Sequence, residues 1–378
     1  MIPESTNSLI RSVGSKRYQG SSLSKGTLYH DLPFDGYAKV RSHRKGTADR
    51  WSYIKANSGL RFVNESIIDL GCSVGGISML AAQAGAWVNG FDYDFESLEV
   101  AQSVSKELGL HHNVKFHHQT IDLDFIKNKM SRPHILIWMS HWMWCVKQFG
   151  MQTAKEMLYE ASLKSNVMIF ESAADDAMAA IKGATQDDIG EWVRSETSYS
   201  RVEDIGFVPG WNNRHIFVCK GIEVGWTGYT SRVTRESRTS VRKTFKPGYE
   251  WMVEREVKFL KMVSPHGISP QVISSDKTSI EMTYCGKKRK LSKVHRNQCM
   301  EILNVLKVCN ISHRDINPKN LLVYNGDVVL IDYAWSLFEG ETETPKPPPK
   351  DTLGGAFYKD NRGNDAVGLE RTLKHFGI

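Results

Sequence analysis

The chain has 378 residues, 40% of them hydrophobic and 24% charged, with a formal net charge of +7. That length exceeds what one core usually fills, so two domains are expected, and the composition is that of a globular protein, not of a disordered or membrane chain. No run nears the roughly 20 apolar residues of a membrane span and the first residues lack a signal-peptide core, so a cytoplasmic protein is expected.

Residues 1–29 are rich in Ser, Gly, Lys and Arg without apolar periodicity and read as a flexible N-terminal arm. From Phe62 strands and helices alternate. Strands are expected at 66–69, 86–92, 114–117, 135–139 and 167–170, helices at 77–84 and 97–108, and an antiparallel pair near 206–219. This order implies a doubly wound, mostly parallel α/β sheet over residues 30–221. Near Gly221 the alternation stops. A hairpin at 230–245, a helix at 250–262, a strand at 279–282 and an amphipathic helix carrying Cys299, Ile302, Leu303 and Leu306 on one face form a second, α+β domain over 222–378. The proline run from Thr344 to Pro349 must be extended. Six cysteines without a CxxC pair fit reduced thiols and argue against zinc. Basic clusters stand at Ser42–Lys45 and Lys287–Lys290, and solvated loops are their simplest reading.

In the first domain the strand at Ile67–Asp69 runs into a turn containing Gly71, Gly75 and Gly76, which lets a ligand approach the backbone. Ser73 stands where dinucleotide folds carry the glycine that touches pyrophosphate, and Asp69 would repel phosphate but suits a cationic sulfonium and amino group. Asp92, ending the next strand, is placed to accept ribose hydroxyls. Trp138, His141, Trp142 and Trp144 follow the fourth strand, and Glu171 ends the next; both an acceptor pocket and plain core packing fit them. From about Tyr37 to Lys220 the chain resembles class I methyltransferases, a Rossmann-like fold. The resemblance implies S-adenosyl-L-methionine as cofactor, with Asp69, Gly71, Ser73 and Gly75 at its methionine end, Asp92 on ribose and Asp122 beside adenine.

The second domain carries His313-Arg314-Asp315-Ile316-Asn317-Pro318-Lys319-Asn320, then Ile331-Asp332-Tyr333-Ala334. Phosphoryl transfer needs positioned metal ions, a phosphate clamp and a carboxylate that orients the attacking hydroxyl. Asp315 matches the catalytic carboxylate, and Asn320 and Asp332 the magnesium ligands. Lys243 matches the phosphate-contacting lysine and Glu256 its helical partner, while Met282 and Tyr284 stand at a hinge that would hold adenine. Asp365 matches a later buried aspartate of the large lobe. This resembles a bilobal protein-kinase-like fold using ATP and Mg2+, abbreviated at its end. Four features depart from it, one being Tyr333-Ala334 in place of Phe-Gly. No GxGxxG covers the phosphates, the hairpin turn near Glu236-Ser237 is short, and Asn317 replaces a lysine.

A methyltransferase joined to an abbreviated kinase resembles the bifunctional methyltransferase-kinases that terminate polymannose O-antigen chains, through Pro33-Phe34-Asp35-Gly36, the Ile67–Cys72 turn and the hairpin ending at Lys243. The resemblance implies a transferase that phosphorylates a glycan or related hydroxyl acceptor and methylates it or the new phosphate. Two alternatives stand beside it: a methyltransferase regulated by an inactive kinase-like module, and a nucleic-acid methyltransferase with a protein-kinase half.

Overall fold

A computed structural model of the chain describes residues 2–14, 16–18, 21–37, 39–171, 186–209, 214–222, 225–286, 291–324, 326–338, 340–342, 344 and 364–378. It divides into two compact units, Met1–Glu223 and Val224–Ile378. The basic run Lys287–Lys290 and the prolines that follow Thr344 lie outside the described residues.

The first unit is built on seven strands: β1 (Ser66–Leu70), β2 (Trp87–Asp92), β3 (Val114–His118), β4 (Ile135–Met139), β5 (Val167–Glu171), β6 (Tyr199–Phe207) and β7 (His215–Ile222). Their order is β6-β7-β5-β4-β1-β2-β3. The first five run parallel, whereas β7 is antiparallel to β5 and to β6. Strands buried on both faces read as near-continuous apolar runs, and every residue of β4 and β5 is buried, the charged Glu171 at the end of β5 included. The strand period of two splits them between two cores: Ile135 and Ile137 face one, Leu136 and Trp138 the other. Because the chain steps outward from β1 to β3 and then returns to β4 beside β1, the loops leaving β1 and β4 diverge and open a crevice at their carboxyl ends. The doubly wound expectation therefore holds.

The flexible arm does not. Residues Glu4–Ser12 form helix α1, and α2 spans Thr47–Asn57, α3 Gly76–Gln83 and α4 Phe95–Glu107. Ile10 and Val13 are buried in the core of the first unit, and the Thr6 hydroxyl bonds Ser103 Oγ at 2.6 Å and also reaches Glu107 on α4. The Tyr37 hydroxyl donates to that same Glu107, and Leu28–His30 pairs in parallel with Ser42–Arg44. Few apolar residues make this segment look unstructured, but those few are spent on tertiary contact. Ile10→Ala should therefore destabilise the first unit by about 2–5 kcal/mol, read as a shift of its urea midpoint; an unchanged midpoint would mean the helix is not docked.

The second unit has a five-stranded antiparallel sheet of β8 (Trp226–Thr227), β9 (Ser231–Arg235), β10 (Ser240–Phe245), β11 (Val272–Ser275) and β12 (Ser279–Thr283), ordered β8-β9-β10-β12-β11. Helices Trp251–Val263, Arg296–Val308 and Asp365–Phe376 accompany it, with short hairpins that include Leu321–Tyr324 paired to Asp327–Leu330. On the Trp251–Val263 helix Met252, Phe259, Leu260 and Val263 bury one stripe, and Glu256 lies within that stripe. A carboxylate so placed needs a cation.

Candidate functional site

In the first unit the glycine turn is forced by what surrounds it. Gly71 has φ +76° and Gly75 φ +72°. A Cβ at Gly71 would lie 2.6 Å from His141 Nδ1, and one at Gly75 2.4 Å from the Phe116 ring. Ser73 also holds positive φ, +52°, and its backbone N–H donates to Asp92 Oδ2 at 2.8 Å while Asp94 N donates to Oδ1 at 2.9 Å. Asp92 is thus a buried carboxylate clamped by two backbone donors. Burial raises its pKa, and the N–H groups of Asp94 and Ser73 oppose that rise.

One pocket lies at this crevice. Gly71, Ser73, Asp92, Tyr93 and Asp94 form one wall, and Tyr29, His30, Ser140, His141 and Trp144 the other. Asp69 and Asp122 do not line it. Asp69 accepts the Ser78 hydroxyl at 2.6 Å, and burial pushes its carboxyl up to about 6. Asp122 accepts Phe125 N at 2.7 Å, capping the turn that follows. Trp138 and Trp142 are core, whereas His141 and Trp144 reach the pocket, so the two readings of that aromatic run divide residue by residue. Behind the second wall Glu171 is buried with Arg50 in an ion pair and accepts Ser140 Oγ at 2.8 Å; Arg214 Nη1 donates to Ser140 Oγ at 3.3 Å. Sequence reasoning missed Tyr29 and His30, just before the Pro33–Gly36 motif, and Arg50, because their places depend on tertiary contacts. Gly71→Ala combines an unfavourable φ with a collision against His141. It should weaken binding at this pocket by about tenfold or more, since a left-handed alanine alone costs roughly 1–2 kcal/mol; calorimetry with S-adenosyl-L-methionine checks it.

In the second unit the buried Glu256 has its cation. Lys243 Nζ, on β10, lies 2.9 and 2.6 Å from the Glu256 carboxylate oxygens and 2.7 Å from Asp332 Oδ1. Burial alone would lower the lysine pKa, but Asp332 and Glu256 reverse this and hold it above the ordinary value. Burial likewise pushes the Asp332 carboxyl up, and Lys243 overcomes it, leaving that carboxyl below the usual range. Asp332 adopts φ +71°, as does Arg314 at +68°.

Arg314 sits in a loop that the chain pins from several sides. The Asp365 carboxylate accepts His313 N and Arg314 N, each at 2.7 Å, and His313 Nε2 lies 3.1 Å from Ile331 O. Asp315 then presents its carboxylate to Asn317 Nδ2 at 2.9 Å and Asn320 Nδ2 at 2.8 Å. Burial, followed by the charge of Asp332, pushes Asp315 up to about 7. Among the described residues no three His, Cys, Asp or Glu side chains converge as a metal cage. The Asp332 carboxylate and the Asn320 carboxamide supply hard oxygen donors, which fits a magnesium ion held by one or two protein groups plus phosphates and water.

Met282 and Tyr284 are buried at the end of β12, and Tyr284 N donates to Thr239 O at 2.8 Å. The Glu236–Thr239 turn therefore lies at the Tyr284 end of the sheet, with the Arg235 guanidinium 3.7 Å from the Tyr284 ring centroid. The β8–β9 turn is at the opposite end, where Gly228 O accepts Lys246 Nζ at 2.7 Å. The short β8 strand hid this arrangement, since two residues carry no alternation.

Family profiles bear on both units. A methyltransferase domain profile matches residues 62–132, and a RIO domain profile matches residues 221–343. The chain carries a methyltransferase domain followed by a RIO kinase-like domain. Methyltransferase domains are transferases. Among curated proteins, a ubiquinone biosynthesis O-methyltransferase of Actinobacillus pleuropneumoniae serotype 5b (strain L20) is 36% identical over 80 residues, 21% of this chain and 32% of that protein. The match thus spans about a third of that relative's length. Similar solved structures include WbdD at 2.2 Å, 16% identical, covering 98% of this chain and 94% of that one at TM-score 0.45. Another structure of the same protein, described as the bifunctional kinase-methyltransferase WbdD, is 15% identical with the same coverage at TM-score 0.44. Magnesium protoporphyrin IX methyltransferase of Synechocystis PCC 6803 with bound SAM is 17% identical, covering 46% of this chain and 78% of that one at TM-score 0.35. Among the described residues no helix is long and apolar enough to cross a membrane.

Proposed function

We propose that the chain is a two-reaction transferase. The second unit transfers phosphate from ATP to a hydroxyl of a glycan or related acceptor, and the first unit methylates that acceptor or its new phosphate. S-adenosyl-L-methionine is the methyl donor in this reading, supported by the methyltransferase profile and by the clamped Asp92 beside the glycine turn.

The observation that carries the kinase half is the Lys243–Glu256–Asp332 cluster, a buried lysine held between two carboxylates, one of them on the strand turn expected to hold metal. In this reading Lys243 clamps the ATP phosphates, Asn320 and Asp332 hold Mg2+, which neutralises charge on the phosphates when bound, and Asp315 orients the acceptor hydroxyl. Met282 and Tyr284 border adenine. Gly228 and its neighbours then supply the turn over the phosphates, instead of the Glu236-Ser237 turn at the adenine end. An intact Asp315, Asn320 and Asp332 favour activity over a purely regulatory module.

The test is incubation of the whole chain with glycans, ATP, Mg2+ and S-adenosyl-L-methionine, followed by mass analysis of the acceptor. A phosphate gain that precedes a methyl gain is expected. Methyl gain without ATP would break the coupling, and no gain of phosphate on any hydroxyl acceptor would remove the kinase reading.

A further inference from the structure

A second cavity, of about 290 Å³, opens at the amino ends of β1, β4 and β5 in the first unit. Ser66 begins β1 here and Leu70 ends it beside Gly71, so at roughly 3.3 Å per residue the strand sets this cavity about 17 Å from the glycine-turn pocket. Ser66, Arg132, His134, Lys164 and Asn166 supply its polar lining, and no carboxylate lines it. Lys164 Nζ donates to Lys127 O at 2.7 Å and to Met130 O at 3.1 Å, two neutral carbonyls. One of its three N–H groups is left without an acceptor among the described residues. The exposed Arg132 guanidinium has no hydrogen-bond or ion-pair partner among them either. Ser66 Oγ accepts His134 N at 2.9 Å and keeps its own proton to donate. Two acids stand nearby but face other groups: Glu65 lies 3.6 Å from His134 Nδ1, and Glu160 3.4 Å from Lys127 Nζ.

We propose that this cavity is a second ligand site of the first unit and takes a phosphate monoester. Arg132 forks the phosphoryl oxygens, Lys164 and the Ser66 hydroxyl donate beside it, and Pro133 and Leu163 meet the organic body. Exposed cations are ordinarily just solvated, but these two share one concave wall with Leu163, itself 39% exposed, and its volume is near the roughly 300 Å³ at which small-ligand sites begin. Their charges also act on each other. Desolvation and the charge of Arg132 lower the Lys164 pKa against the opposing charge of Glu160, and a bound anion would relieve that repulsion. A phosphate monoester carries about two negative charges at neutral pH and offers three acceptor oxygens, which matches a guanidinium fork beside an ammonium; a carboxylate brings one charge and two oxygens. The site binds and does no chemistry, so it stands apart from both proposed reactions.

Phosphate could arrive free or on an organic body, and the experiment separates the two. Full-length protein is titrated calorimetrically with a hexose monophosphate, inorganic phosphate, acetate and the unphosphorylated hexose. Arg132→Gln and Arg132→Lys are titrated beside it. Arg132 holds nothing in the fold, so both variants should unfold at the wild-type temperature. Wild type is expected to bind the hexose phosphate and not the hexose. Arg132→Gln should weaken that binding by about tenfold or more, and Arg132→Lys by less, since lysine keeps the charge but loses the fork. Phosphate held elsewhere on the chain does not respond to Arg132, so the part lost in Arg132→Gln belongs to this cavity. Inorganic phosphate binding as tightly as the hexose phosphate would keep the site and assign it to free phosphate. Equal hexose phosphate affinity in wild type and Arg132→Gln, acetate binding as tightly as phosphate, or no phosphate binding at all would overturn the proposal.

Discussion

Asp315→Asn is expected to slow ATP-dependent phosphoryl transfer by about a thousandfold, within the range that a positioned acid or base contributes. The reason lies in how fully the loop is committed to that carboxylate. Asp365 fixes the two preceding N–H groups, Arg314 accepts a left-handed backbone, and Asn317 and Asn320 each donate to a different Asp315 oxygen. An asparagine at 315 would meet one of those amides with its own NH2, so a donor faces a donor and the loop loses a hydrogen bond at a cost of about 1–3 kcal/mol. The acceptor hydroxyl loses its proton acceptor as well. A pH profile provides an independent reading. With its carboxyl pushed up to about 7 by burial and by Asp332, Asp315 is protonated on the acid side and cannot take a proton. Phosphoryl transfer should therefore rise with pH through the neutral range and fall about tenfold per unit below it, with bound Mg2+ moving the midpoint lower by favouring the anion. Transfer of labelled phosphate at saturating ATP measures both. An Asp315→Asn enzyme as fast as wild type would remove Asp315 from the reaction.

The elements that sequence alone disclosed are those whose pattern is local. The buried strands β4 and β5 are apolar at every interior position, β1 is so except at Asp69, and the turn after β1 needs glycine for reasons of φ, so these stand out without tertiary information. The Asp315–Asn320 loop is similar, since its bonds run between residues two to five apart. Other features depend on partners distant in the chain. Helix α1 has little apolar surface, and contacts with Ser103, Glu107 and the core residues around Ile10 make it a helix worth forming. Strand β6 is half-exposed and polar because it lies at a sheet edge, so its full length was hidden and only a pair near 206–219 was expected. The crevice pocket draws on Tyr29, Gly71 and Ser140 from three separate segments. Asp69 combines the two cases. Its place before the glycine turn suggested contact with the methionine end of the donor, and its carboxylate also accepts the Ser78 hydroxyl at the start of α3, a tie between turn and helix that the sequence did not disclose.

Asp92→Ala should weaken S-adenosyl-L-methionine binding by about a hundredfold, because roughly 3 kcal/mol accompanies loss of a carboxylate that makes charge-assisted hydrogen bonds. Each Asp92 oxygen already accepts one backbone N–H, from Ser73 and from Asp94, and each retains a further lone pair for a ribose hydroxyl. Alanine removes both functions at once, leaving the N–H groups of the turn without their acceptor. Asparagine keeps one oxygen and should fall between, near tenfold. Ser73→Ala tests which atom of Ser73 matters: since its N–H and not its hydroxyl holds Asp92, affinity should stay within about threefold. The direction with pH follows from burial, which raises the Asp92 pKa. The carboxylate is ionised above that raised value, so donor affinity declines as acid protonates it and recovers as pH rises, whereas in Asp92→Asn this acid limb should be reduced. Calorimetric titration of the three variants against pH, with ATP affinity as the control for the second unit, gives the result. A folded Asp92→Ala protein that binds the donor as wild type does would show that the clamp serves only the turn.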